Sequence, residues 1–118
     1  NRIGDFNPQA MANTVWAFAT AGVAAEALFG AMASAAVNRI GDFNPQNLAN
    51  TVWAFATAGV AAETLFGAIA RAAVSRVGDF NPQNMANTVW AFVTAGVAAE
   101  ALFEAIAGAA VNRIGDFN

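Results

Sequence analysis

The seven residues NRIGDFN stand at 1–7, again at 38–44 and again at 112–118, with the near copy SRVGDFN at 75–81. Asn1, Asn38, Ser75 and Asn112 therefore mark a period of 37 residues that runs through all 118. A repeat of this length is one supersecondary unit, which cannot bury its apolar face alone and must stack on copies of itself. The chain reads as a single repeat array, with repeats at 1–37, 38–74 and 75–111 and a partial repeat at 112–118. Stacks of this kind normally end in units with polar outer faces. Here both ends fall inside the same linker, so the expected setting is a longer array of which this is a fragment.

The middle copy shows that the unit is a pair of helices. Asn44-Pro45-Gln46 is a helix start: Pro45 suits the first helical position and biases Asn44 toward the extended geometry of an N-cap. Phe43 and Leu48 then hold the two positions of a hydrophobic staple. Leu48, Val52, Phe55 and Ala56 recur at helical spacing, with Ala49 and Trp53 widening the stripe. Gly59 suits the left-handed position that closes a helix.

A second helix is predicted from about Ala61 to Arg76, with Ala62, Leu65, Phe66, Ile69, Ala73 and Val77 on one face. Gly78 is expected to stop it, and Arg76 in its last turn to favour the negative end of its dipole. Along this helix the copies differ at Ala27/Thr64/Ala101, Gly30/Gly67/Glu104, Ser34/Arg71/Gly108 and Asn38/Ser75/Asn112. Those offsets of three and four trace one stripe, read as the solvent face. The fold class is all-α: an α-solenoid of tandem 37-residue two-helix repeats, three repeats plus a partial fourth linker, with the right-handed sense usual for such arrays.

An apolar share of 58% raises the question of a membrane, and residues 15–37 hold only Thr20, Glu26 and Ser34 as clearly polar side chains. A charge such as Glu26 costs roughly 2.5–3.5 kcal/mol at a bilayer centre. The segment also divides into two helices too short to span, so a membrane partner is a minor reading. Five Arg and no Lys stand against four Asp and four Glu, a net charge of −3. That balance gives no basic footprint, and no DNA partner is expected. The absence of Cys excludes disulfides and thiolate metal sites.

Catalysis is not expected. Without His, Cys or Lys the common bases and nucleophiles are missing. The carboxylates come once per repeat, at Asp5, Asp42, Asp79 and Asp116 and at Glu26, Glu63 and Glu100. A translated row does not converge on one atom, as an acid–base pair must. Glu100 and Glu104, four apart, read as a solvated face, and no spacing suits a metal or implies a cofactor.

Three repeated features remain. The Arg-x-Gly-Asp pairs, as at Arg39/Asp42 and Arg76/Asp79, read as helix-end and linker structure more readily than as an anion ladder, because their charges cancel. Trp16, Trp53 and Trp90 could stack bases, but they adjoin the apolar stripe of the first helix and are expected in the core. The first helix also carries a polar stripe: Asn47 and Asn84 (Ala10 in copy one), Asn13, Asn50 and Asn87, Thr14, Thr51 and Thr88, and Thr20, Thr57 and Thr94. Uncharged donors and acceptors stacked once per repeat could read one base per unit. They could equally clasp an extended peptide backbone, or bond across repeats and hold the stack together.

The run FNPQNLANTVWAFATAGV at 43–60 resembles the heptatricopeptide and octatricopeptide repeats of organellar RNA-binding proteins. FNPQ, ANTVWA and ALF recur in all three copies, with TLF in the second, and the 37-residue period suits the heptatricopeptide class best. The resemblance implies paired-helix solenoids, RNA metabolism and a mitochondrial or chloroplast location. It also implies that the first-helix stripe, chiefly Asn13, Asn47, Asn50, Asn84 and Asn87, faces RNA. The chain departs from that pattern in having Arg71 as its one basic residue outside the linkers and Ala10 where the other copies have Asn. The reading is a non-catalytic array that binds single-stranded RNA; the alternative is a protein-interaction or structural scaffold, with a protein partner or neighbouring repeats on its exposed edges.

Overall fold

A computed structural model of the chain describes residues 7–21, 26–60 and 62–112. Arg2, Asp5, Gly22, Ala61, Arg113 and Asp116 lie outside the described residues. The described residues form six α-helices and no strand: α1 Pro8–Thr20, α2 Glu26–Asn38, α3 Pro45–Thr57, α4 Glu63–Ser75, α5 Pro82–Ala95 and α6 Glu100–Asn112. Helices α1, α3 and α5 pack side by side as one layer, α2, α4 and α6 as a second. Neighbours in the first layer approach one another more closely than neighbours in the second. The stack measures 43 × 25 × 24 Å.

Local chemistry sets where the first helices start and stop. The Asn44 side chain accepts from the Asn47 N–H at 2.7 Å, and the Asn44 N–H donates to the Asn47 side chain at 3.1 Å. Asn81 and Asn84 repeat this reciprocal box at 2.6 and 3.2 Å. Asn7 accepts from the Ala10 N–H at 2.7 Å, but Ala10 has no side chain to answer with. Phe43 and Leu48, the two staple residues, are both buried in the core. At the far end Gly59 and Gly96 take φ of 76° and 74°. The N–H of Val60 then reaches the Phe55 carbonyl at 2.9 Å, and that of Val97 reaches Phe92 at 3.0 Å, the Schellman closure that a left-handed glycine permits.

The second helices end differently from expectation. α4 stops at Ser75, Arg76 adopts φ −123°, ψ 22°, and Val77–Asp79 form one 3-10 turn before the chain extends at Phe80. Gly78 lies inside that turn and is not a left-handed stop; among the described residues only Gly59 and Gly96 have positive φ. The Arg76 N–H bonds back to the Ala72 and Ala73 carbonyls, so tightening of the last turn ends the helix. The Arg76 guanidinium donates to the Phe43 carbonyl of the preceding linker, which ties consecutive linkers together.

The core follows from the repeat. Phe29 meets Phe55 with ring centroids 6.2 Å apart, and one period on Phe66 meets Phe92 edge-on at 5.1 Å. Phe29 and Phe66 thus pack against the first helix of the next repeat, and Phe103 packs against Phe92 of its own. Burial of Leu48, Leu65, Ile69, Met85 and Leu102 completes a continuous apolar interior. Small residues allow the close first layer. Ala54 and Ala91 are buried where Ala17 is exposed, so they face the preceding helix. Ala12 and Ala49 are buried where Ala86 is exposed, so they face the following one. The variable stripe of the second helices faces solvent, with Gly67 half-buried. No helix among the described residues is long and apolar enough to cross a membrane.

Candidate functional site

The polar stripe divides into two sets. Asn47 and Asn84 are engaged in the capping boxes of α3 and α5. Thr51 and Thr88 are buried between first helices. Thr88 donates its hydroxyl to the Asn84 carbonyl at 2.7 Å, whereas the Thr51 hydroxyl is buried without a partner. Thr14 is half-buried, and Thr20, Thr57 and Thr94 are exposed. These positions serve the framework or stand apart from one another.

The second set converges. Asn13, Asn50 and Asn87 border a single recess of about 250 Å³ together with Ala12, Trp16 and Trp53. Each Trp follows its Asn by three residues, so amide and indole share a helix face. Among the described residues the three amides make no hydrogen bond to the rest of the chain, so their donors and acceptors are open.

The tryptophans correct a sequence expectation, for they are not core. Trp16 is 48% and Trp90 45% exposed, and Trp53 is half-buried. Trp53 and Trp90 stack with centroids 4.2 Å apart and planes at 29°. Their positions adjoin the apolar stripe but fall on the asparagine side of it. The close spacing of α3 and α5 lets one indole cover the next. The three-residue offset between Asn and Trp in ANTVWA was the available signal.

Among the described residues no charged side chain borders the recess. The ionisable residues of the described helices, Glu26, Glu63, Arg71, Glu100 and Glu104, all belong to the second layer. The recess therefore offers neutral donors, neutral acceptors and aromatic faces. Among the described residues no group of His, Cys, Asp or Glu could hold a metal ion.

No curated protein gives a significant match to this chain. A family model for the RNA-editing substrate-binding complex 6 protein matches residues 2–118, from the first linker to the last. With the same repeat unit running the whole length of that match, the chain belongs to the RNA-editing substrate-binding complex 6 protein family.

Proposed function

We propose that this chain is a non-catalytic array that binds single-stranded RNA along its first-helix face within an RNA-editing complex. The observation that carries this reading is the recess in which three uncommitted carboxamides stand together with the exposed Trp16 and the half-buried Trp53. Unpaired bases are recognised by stacking on aromatic side chains and by hydrogen bonds to their edges, and this surface supplies both. Duplex recognition relies on phosphate contacts, for which the first helices carry no cation. The family description, an RNA-editing substrate-binding complex, agrees in ligand class. Assignment to the heptatricopeptide class, and with it a mitochondrial or chloroplast location, rests on motif resemblance.

The test is fluorescence anisotropy of a labelled random single-stranded RNA pool across a salt titration. Binding with a shallow salt dependence is expected, since few counterions would be released. Asn50→Ala combined with Asn87→Ala is expected to weaken it about tenfold, the loss of roughly 1.4 kcal/mol. Absence of binding at low salt sinks RNA recognition by these repeats. A scaffold role would then lead, and one observation favours it: the looser second layer leaves matching hollows beside Val37 and Leu65 and beside Val74 and Leu102, each bordered by a glutamate, Glu63 or Glu100.

A further inference from the structure

The two junctions between repeats treat the same tryptophan column differently. At the second junction the Trp53 and Trp90 rings lie 4.2 Å apart and leave no room between them. At the first, Trp16 and Trp53 both border the open recess, and Trp16 presents an indole that no other ring covers among the described residues. From this we infer that the recess bounded by Trp16 and Trp53 takes one unpaired nucleobase, stacked on the Trp16 indole and held at its edge by Asn13 and Asn50. The inference rests on the RNA-binding reading and adds a position, a stoichiometry and a stacking residue to it.

The chemistry of the walls selects the occupant. At about 250 Å³ the recess has room for a heterocyclic base. A phosphate would need a cation, and among the described residues none lines the recess. An aliphatic side chain would leave three amides facing it without hydrogen bonds, at a desolvation cost. An aromatic side chain would stack on Trp16 but would not answer those amides along its rim. A base does both, since its face stacks on an indole whatever its identity and its edge carries donors and acceptors matched to a carboxamide. Trp53 is already paired with Trp90 and forms the fixed wall, whereas Trp16 supplies the free one.

The test uses the 118-residue chain with short oligouridylate and oligoadenylate, read by anisotropy and by quenching of tryptophan fluorescence. Trp16→Ala is expected to lower affinity about tenfold and to abolish most of the quenching, because a single base–aromatic stack is lost. Trp16→Phe keeps a stacking face and is expected to recover most of the affinity, which separates stacking from a change in fold. Arg71→Gln, on the exposed face of α4, is expected to leave binding unchanged. An abasic ribose-phosphate chain of the same length is expected not to bind. If the unaltered chain binds RNA and Trp16→Ala binds equally well, the base slot is overturned while the RNA reading stands. Equal binding of the abasic chain also overturns the slot, and failure of the unaltered chain to bind either oligonucleotide removes both.

Discussion

Helix α3 starts on Asn44, whose side chain caps the helix while Asn47 bonds back, whereas α4 starts after Ala62 with no side-chain cap. The same contrast holds for α5, opened by the Asn81–Asn84 box. The ends differ as well: α3 and α5 close on left-handed glycines, while α4 runs out into a 3-10 turn. Helices α3 and α5 are thus delimited by a side-chain box at one end and a left-handed glycine at the other. Helix α4 has no side-chain cap at its start and ends in a tightened turn, so packing has more to hold there. Spacing follows the same division. The closely packed, uncharged first layer sits beside a looser layer that carries the helix charges.

If packing holds the second layer, the largest loss should come from its core. Phe66 is fully buried and meets Phe92, so Phe66→Ala is expected to cost about 3–5 kcal/mol in urea unfolding, enough to threaten the fold. A cost below about 1 kcal/mol would break the distinction between the layers. Capping predicts a smaller effect in the first layer: Asn44→Ala is expected to lose about 1 kcal/mol, and Asn44→Gly only a few tenths. A loss below about 0.5 kcal/mol for Asn44→Ala would mean that the side-chain cap is not what holds the α3 start. The smallest change sharpens the contrast from the other side. Gly30 lies in α2, exposed, with open space where a Cβ would go, so Gly30→Ala is expected to add roughly 0.5–1 kcal/mol, seen as a raised thermal midpoint.

Much of this was legible in the residues. Asn-Pro-Gln gave the helix starts, Phe43 and Leu48 the staple, and Gly59 its left-handed close, because each acts over a few bonds. Gly78 looked like Gly59 but is not used the same way, since the bonds of Arg76 to α4 had already tightened the chain into a turn. The candidate site was half visible. Asn13, Asn50 and Asn87 belonged to a stripe that also held Asn47, Asn84, Thr51 and Thr88, and spacing alone could not separate the four framework residues from the three open ones.

The 37-residue period, the paired helices and their termini are written in short-range chemistry, and the residues were sufficient to state them. Whether an indole beside the apolar stripe goes inward or outward is a different kind of fact. It depends on how each first helix is rotated against its neighbours, and that rotation follows from Ala12, Ala49, Ala54 and Ala91 fitting across repeats. Contacts between residues one period apart, such as Trp53 on Trp90, exist only once the layer has closed, so no local pattern could have assigned them.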